Sequence, residues 1–452
     1  MLGFESIGSA ILIAYDGEPV LTTDAWISDE AYFGSWGHDY EIPTAQIDAI
    51  RRAKYHWFSH GHPDHLNIAS LPLLTGGEFL LSDHQGGRIR RDLEAMGHKV
   101  RVLKDKEWVQ LSDRIKVYSI PNVNQDSILL IDVGGTLIVN TNDAPDYGAS
   151  LRIRHIAEGY KQVYYCALHG WGGADMLNVF DPQGRKLVEP LERRRPIAPR
   201  AQRGAQMHGA NYVIPFSGFH RFQREDSAWA NVLIPELADY QSAARKDGPQ
   251  MLPAFVRVDV GKNEIQEIRP PRNLLKPRPP SDFGDNWSDA MTKEDATKID
   301  TYFKARQHLA EHFGFIEVKL GSRSHTVDLN PARRDRGFTF EAPRNSFMTC
   351  IEHEIFDDML IGNFMKTTLH GDVGLYPEFT PYVAKYGDNG HARSKAELRG
   401  YFLHYFLRDP VAALFKKVSN ASEDIVRAVL PADSSLFRTA KRFYYQRGAR
   451  SA

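Results

Sequence analysis

Short apolar runs alternate with turn residues throughout the first half of the chain. The stretch SAILIAYDGEPVLTTDAW predicts a β-hairpin around Asp16 and Gly17, and the stretches RVLKDKEWVQLSDRIKVYSI and SILLIDVGGTLIVNTND continue the pattern. Between these stretches, residues 45–54 and 88–96 have apolar positions at helical spacing. Strands that alternate with helices predict a layered α/β domain.

The pattern changes in the second half of the chain. A basic, proline-bearing segment covers residues 184–205, and a proline-rich segment at 269–283 predicts a linker or a strap across the surface. A helix is predicted at 293–313, and FIEVKLGSRSHTVDLN predicts two strands. We therefore expect three parts. They are a metal-binding domain at 1–235, a linker with an accessory α+β segment at 236–330, and a helix-rich segment at 331–452 that covers the site.

Composition limits the class of protein. The chain has 452 residues, 42% hydrophobic and 25% charged, with a net charge of −1, which is typical of a globular protein and gives no global attraction to nucleic acid or anionic membranes. Two cysteines in isolated positions predict neither a disulfide framework nor a Cys-x-x-Cys metal knuckle. No window reaches eighteen apolar residues and the N-terminus carries no basic leader, so the expected location is the cytoplasm, without a membrane partner.

The stretch SHGHPDHL follows the predicted strand YHWF and places four potential metal ligands in six positions. A tight loop after a strand can direct His60 and His62 to one ion, while Asp64 and His65 point toward a second. Neutral imidazoles suit zinc, iron or manganese, and a carboxylate adds the charge that holds a divalent cation. The alternative is a surface loop whose histidines bond to backbone carbonyls. Four potential ligands at this spacing favour the metal site.

The motif HxHxDH after a strand resembles the signature of the metallo-β-lactamase superfamily. The resemblance implies an αβ/βα sandwich with a metal site at one edge, between two sheets. Asp24, after the first hairpin, looks like the early aspartate of that superfamily. In TLIVNTND, Asp143 occupies the place where a metal-bridging carboxylate follows a strand.

Two positions depart from the superfamily pattern. Asn122 or Asn124 stands where a third histidine is usual, and Ser217 in YVIPFSGFH stands where the last one is usual. His220 is a candidate replacement, although it fits a loop histidine near two phenylalanines equally well. His169, in CALHGWGGADM, is a further candidate, with a structural turn as its alternative. Fewer imidazoles and more oxygen ligands favour iron or manganese over zinc.

A narrower resemblance links residues from about 5 to 400 to the CMP-N-acetylneuraminate hydroxylase family, through ANYVIPFSGFH and IEHEIFDDMLIGNFMKTTLHGDVGLYPEF. Those enzymes join a Rieske domain to a metallo-β-lactamase-like domain and oxidise an N-acetyl methyl group with oxygen. Neither cysteine of this chain lies in a Cys-x-His box, so a Rieske centre is excluded and electrons would come from a separate protein or a reducing substrate.

The last motif predicts a helix over residues 351–364 with two faces. Its apolar stripe faces the core, while Glu352, Glu354, Asp357 and Asp358 are expected to be mostly solvated. The alternative is that this acidic face looks toward the metal cleft.

Two functions follow from these observations. The favoured one is an iron-dependent oxygenase or hydroxylase of a small anionic substrate, with one or two iron ions. The alternative is a zinc- or manganese-dependent hydrolase of a phosphodiester, lactone or amide bond, in which Asp64 orients the attacking water. In the basic segment, arginines could hold the anionic group, with a solvated basic face as the alternative. The candidates are Arg193, Arg194, Arg195 and Arg203.

Overall fold

The computed structural model describes residues 1–169, 176–187 and 198–414. The strands are β1 (Leu2–Ile7), β2 (Ile11–Asp16), β3 (Glu18–Thr23), β4 (Trp36–His38), β5 (Tyr55–Phe58), β6 (Glu78–Ser82), β7 (Val100–Leu103), β8 (Trp108–Gln110), β9 (Ile115–Pro121), β10 (Ser127–Val133), β11 (Thr136–Asn142), β12 (Val163–Leu168), β13 (Val179–Phe180), β14 (Tyr212–Phe216), β15 (His220–Phe222), β16 (Gln250–Met251), β17 (Val256–Asp259), β18 (Glu264–Glu267), β19 (Phe315–Leu320), β20 (Arg323–Asp328), β21 (Gly337–Glu341) and β22 (Lys366–His370). The helices are α1 (Thr44–Arg52), α2 (Arg88–Ala95), α3 (Ala149–Ala157), α4 (Ala198–Met207), α5 (Leu237–Ser242), α6 (Lys293–Ala305), α7 (Arg344–His353), α8 (Phe356–Ile361), a π-helix (Pro381–Asn389) and α9 (Lys395–Arg408).

Two large sheets face each other. The first has the order β18-β17-β1-β2-β3-β5-β6-β7 and the second β16-β14-β12-β11-β10-β9-β8. Between them lies one apolar core to which both sheets contribute, for example Leu12 and Trp57 from the first and Leu129 and Ile138 from the second. Every residue of β10 and β11 is buried, because these strands are covered on both faces.

Helices cover the outer faces of both sheets. Ile50 of α1 and Leu93 of α2 join the core outside the first sheet, while Ile153 of α3 and Ala205 of α4 join the core outside the second. The layers are therefore helix, sheet, sheet, helix, which confirms the predicted αβ/βα sandwich. The predicted hairpin at Asp16–Gly17 is confirmed as well, and the stretch SILLIDVGGTLIVNTND forms a second hairpin, in which β10 pairs with β11.

A third sheet has the order β13-β22-β21-β19-β20, with four strands from the second half of the chain and β13 from the first half. It packs with α6, α7 and α8 around a core rich in phenylalanine, including Phe303, Phe340, Phe356 and Phe379. We call residues 291–414 the C-terminal region. This α+β region extends beyond the accessory segment predicted at 236–330, because β21 and β22 lie within the residues predicted to be helix-rich.

The sandwich continues past the boundary predicted at residue 235. Strand β17 pairs antiparallel with β1, and β16 pairs parallel with β14, so both sheets gain strands from residues 250–267. A boundary at 235 would separate these strands from the sheets that they complete. The proline-rich segment runs along the sandwich, where it makes isolated bridges from Arg272 to Tyr40 and from Arg278 to Arg224.

A buried ion pair between Arg224 and Asp285 connects the sandwich, through Ser346, to the C-terminal region. Arg224 Nη1 donates to Asp285 Oδ2 at 2.7 Å, and neither side chain is exposed. Ser346 of α7 donates to the same carboxylate oxygen at 2.6 Å. These contacts fix the orientation of α7 and, through it, of α8. Within the described ranges, no helix has the length and apolar character that crossing a bilayer requires.

Candidate metal centre

The histidine loop begins where β5 ends, at one edge of the sandwich. Ser59 N donates to Asp24 Oδ1 at 2.7 Å, and Asp24 N donates to Trp57 O at 2.8 Å. Asp24 is fully buried and adopts a positive φ of 41°. Its Oδ2 lies 3.2 Å from His65 Nδ1. A carboxylate in this place fixes the ring of a metal-binding histidine and leaves its other nitrogen free for the metal.

Three side chains from the sandwich form the first possible ligand set, which we call the inner triad. Its ligand atoms, from His60, His65 and Asp143, all lie within 4.8 Å of one another. His65 Nε2 is 3.6 Å from Asp143 Oδ2, is buried and has no hydrogen-bond partner. Ser59 Oγ lies 2.8 Å from His60 Nδ1, and Ser217 Oγ donates to Asp143 Oδ1 at 2.7 Å. Ser59 and Ser217, which are not ligands themselves, thus fix the side chains of His60 and Asp143.

A second set joins the two parts of the molecule, and we call it the shared triad. It consists of His62 from the loop and of Asp357 and Asp358 from α8, again with ligand atoms within 4.8 Å of one another. His62 Nε2 lies 2.9 Å from Asp357 Oδ2. The two triads adjoin, because His60 Nε2 and His62 Nδ1 are 2.8 Å apart. The sequence predicts His60 and His62 as a pair for one ion, and this stays a prediction, because these two nitrogens face each other although each histidine also belongs to a different triad.

The predicted exposure of Asp357 and Asp358 is wrong. The predicted helix over 351–364 is broken, because α7 ends at His353 and Glu354 adopts a left-handed conformation with a φ of 52°. After this break α8 has a new axis, and the two aspartates turn into the molecule with only 5% and 6% of their surface exposed. Glu352, which precedes the break, is exposed as predicted.

Asp64 lies beside the inner triad and lines the cavity. Its Oδ1 accepts a hydrogen bond from the Tyr32 hydroxyl at 2.6 Å, and its Oδ2 is 3.5 Å from His65 Nε2. Asn122 and Asn124 stay outside both triads. Asn122 Nδ2 donates to Pro145 O at 3.4 Å, and Asn124 Nδ2 donates to Asp126 Oδ2 at 3.0 Å.

His220 and His169 lie outside both triads as well. The ring of His220, on β15, stacks on Trp36 with 3.3 Å between ring centroids, and His169 stacks on Phe219 at 4.8 Å. Burial lowers the pKa of His220 to about 3 and that of His169 to about 4. Both rings are buried among aromatic side chains, so their role as metal ligands stays a prediction.

The arginine candidates divide into two groups. Arg193, Arg194 and Arg195 lie outside the described residues. Arg203 is exposed on α4, on the outer face of the second sheet, and does not line the cavity. Arg203 therefore does not lie near either triad.

A cavity of about 680 Å³ opens onto both triads, with walls from the sandwich and the C-terminal region. Tyrosines from several elements line it, among them Tyr32, Tyr147, Tyr376 and Tyr386. In the part of the lining that the structure describes, Lys385 is the only lysine or arginine. Sequence reasoning missed this lysine, because no local motif distinguishes it from a surface lysine.

The charges of the site favour a bound cation. Burial would raise the pKa of Asp143, but His65 outweighs it and holds that pKa at about 2. Burial and the neighbouring Asp357 raise the pKa of Asp358 well above its usual value. Burial alone would lower the pKa of His65, yet the carboxylates around it raise that pKa well above the usual value. These shifts indicate an excess of buried negative charge.

The residues present fit divalent metal ions. The buried nitrogen of His65 has no partner, and several carboxylates converge where Lys385 is the only nearby ammonium group of the described lining. Buried carboxylates that crowd together need a compensating cation. Imidazole and carboxylate ligands in one centre suit iron, manganese or zinc.

Comparisons with known proteins give partial matches. No protein-family model matches the chain. Over 142 residues, the chain is 25% identical to a cytidine monophosphate-N-acetylneuraminic acid hydroxylase of Asterias rubens. This match covers 28% of the chain and 21%, about a fifth, of the length of that relative.

Two solved structures are similar in shape. One is Igni18, a metallo hydrolase from Ignicoccus hospitalis, with a TM-score of 0.35, 14% identity and coverage of 57% of this chain and 97% of that one. The other is CmlA, a diiron beta-hydroxylase from Streptomyces venezuelae, with a TM-score of 0.36, 16% identity and coverage of 57% and 54%. The facing sheets, the flanking helices and the ligands at the sheet edge identify the fold of this chain as the metallo-β-lactamase fold.

Proposed function

We propose that the chain is an iron-dependent oxygenase or hydroxylase that acts on a small anionic substrate. The observation that carries the proposal is the inner triad, in which His60, His65 and Asp143 offer two imidazoles and one carboxylate. This ligand set, with open positions beside it, is typical of non-haem iron(II) oxygenases. The place of a third imidazole in hydrolytic relatives is taken by asparagines that bond elsewhere.

The sequence similarity supports the same function. The relative from Asterias rubens is named a hydroxylase, and its similarity extends over 142 residues of the chain. Cys166 and Cys350 are both buried and unpaired, so the chain offers no Rieske ligands. A separate electron-donor protein or a reducing substrate is therefore part of the proposal, as is the cytoplasmic location predicted from the sequence.

Each side chain has a role in this proposal. His60, His65 and Asp143 hold the ion, and Asp24 orients the ring of His65. Iron bound there would supply the redox chemistry with oxygen. Asp64, fixed by the hydroxyl of Tyr32, can accept or return a proton at its Oδ2.

The anionic group of the substrate would meet Lys385, which lines the cavity. A contribution from Arg193, Arg194 and Arg195 stays a prediction. Tyrosine hydroxyls and rings around the cavity would bind the rest of a small organic molecule and exclude water from the ion.

The test begins with protein purified without oxygen and reconstituted with ferrous iron. We expect stoichiometric iron and oxygen consumption that depends on an added reductant such as ascorbate. The variant His60→Ala should lose the iron of the inner triad and the oxygen consumption. The variant His155→Ala is the matched control, because the side chain of His155 is 86% exposed and lies outside the centre.

A hydrolase is the second candidate, and the position of Asp64 favours it. The Oδ2 atom of Asp64 is 3.5 Å from His65 Nε2 and can orient a metal-bound water. Stoichiometric zinc, no oxygen consumption with any reductant and hydrolysis of bis(p-nitrophenyl) phosphate would establish this function and refute the oxygenase.

A further inference from the structure

We infer that the shared triad is a second divalent-cation position and that its ion fastens the C-terminal region to the sandwich. The ligands would be His62 from the loop after β5 and Asp357 and Asp358 from α8. This inference rests on the proposed metal dependence and extends it to residues from a different part of the fold.

The geometry brings one ligand atom from each residue to a common place. The three atoms lie within 4.8 Å of one another, and His62 Nε2 is 2.9 Å from Asp357 Oδ2. One imidazole and two carboxylates, with further positions open to water or substrate, match the ligand preferences of iron and manganese. The triad also lines the cavity through His62 and Asp357.

Burial of both aspartates favours a cation at this place. Asp357 is 5% exposed and Asp358 is 6% exposed, so neither carboxylate has water as its main partner. A carboxylate oxygen of Asp358 lies with the ligand atoms of His62 and Asp357 in one place. Two buried carboxylates this close repel each other unless a positive charge lies between or beside them.

Lys385 does not supply enough positive charge. Its Nζ is 4.0 Å from Asp357 Oδ2 and 3.7 Å from Asp126 Oδ1, so one ammonium group lies between two carboxylates of different elements. Asp358 is left for another cation. Because the protein ligands come from both parts of the molecule, an ion bound there would link them directly.

The first measurement is the number of ions bound by metal-free protein after anaerobic dialysis against ferrous iron, with manganese as a second probe. Wild-type protein should bind two ions per chain. The double variant Asp357→Asn, Asp358→Asn should bind one, and His62→Ala should also bind one. Combining all three substitutions should still leave one ion, because they empty the same position.

The matched control is Glu352→Gln. It removes one negative charge from α7, two residues before the break, at a side chain that is 49% exposed and bonds to Lys298. This variant should keep two ions. Because the ions are counted without turnover, the result is independent of whether the enzyme oxidises or hydrolyses its substrate.

A second measurement remains valid if the aspartate variant does not fold. In wild-type protein, ferrous iron should slow amide hydrogen exchange in α8, and His62→Ala should abolish this protection although residue 62 lies in the sandwich. Two ions in the folded variants, one ion in wild-type protein, or exchange in α8 that ignores the metal would each overturn the inference.

Discussion

The sandwich and the C-terminal region contribute to the same cavity in different ways. The sandwich supplies the inner triad at one of its edges, from the loop after β5 of the first sheet and from Asp143 after β11 of the second, where parallel strands of both sheets end. The C-terminal region supplies Asp357 and Asp358 from a short helix that follows a backbone break. The first contribution is a property of the sheet, whereas the second depends on how two cores pack against each other.

The largest effect is expected from loss of the loop histidines. The double variant His60→Ala, His62→Ala removes one imidazole from each triad, so most bound metal and all activity should disappear, with a fall in activity of more than about 100-fold. Metal content by mass spectrometry and turnover are the measurements. Full metal content in a folded double variant would contradict the assignment of both triads.

A core substitution should separate the two regions energetically. Phe356, the first residue of α8, is fully buried in the core of the C-terminal region, so Phe356→Ala should lower the free energy of unfolding by about 3–5 kcal/mol. Leu129→Ala, in the core between the large sheets, is the matched change and should cost about 2–5 kcal/mol. Urea denaturation measures both.

The two core variants should differ in their metal content. Phe356→Ala should weaken binding at the shared triad and spare the inner triad, because only α8 loses its support. Equal loss of both ions would show that the two triads do not depend on separate cores.

The histidine loop could be predicted from the sequence, but its partners on α8 could not. A strand followed by SHGHPDHL indicates where the ligands stand, because a strand end fixes the place of the loop. The helical spacing of the apolar residues predicts one continuous helix over residues 351–364. No local sequence pattern indicates that Glu354 adopts a left-handed conformation. Strands β17 and β1 are also far apart in the sequence, so local patterns cannot predict that they pair.

The next prediction concerns the buried ion pair of Arg224 and Asp285. Replacing Asp285 by Asn leaves Arg224 without its fully buried partner and weakens the bond from Ser346. Removing one partner of a buried pair costs about 3–5 kcal/mol. Thermal unfolding should show this loss, and added ferrous iron should recover part of it if the metal also joins the regions.

A smaller effect concerns pH. His84 joins the sandwich to α9, with Nε2 at 2.8 Å from Ser127 Oγ and Nδ1 at 3.1 Å from the Tyr405 hydroxyl. Burial, helped by the charge of Arg408, lowers the pKa of His84 from 6.5 to about 3. Between these two values the unfolded chain binds a proton that the folded chain does not, so stability should fall as the pH falls through this window.

The variant His84→Gln isolates that contribution. The slope of the free energy of unfolding against pH, measured by denaturation at several pH values, should be smaller than in wild-type protein by up to about 1.4 kcal/mol per pH unit. An unchanged slope would show that this histidine is not held neutral at the junction.

The most direct measurement of the central claim is anomalous X-ray scattering at the iron edge from crystals grown anaerobically with ferrous iron. If the centre is assembled from both parts of the molecule, two peaks should appear. One should lie among His60, His65 and Asp143, and the other among His62, Asp357 and Asp358. A single peak with ligands from the sandwich alone, and none near α8, would contradict the account.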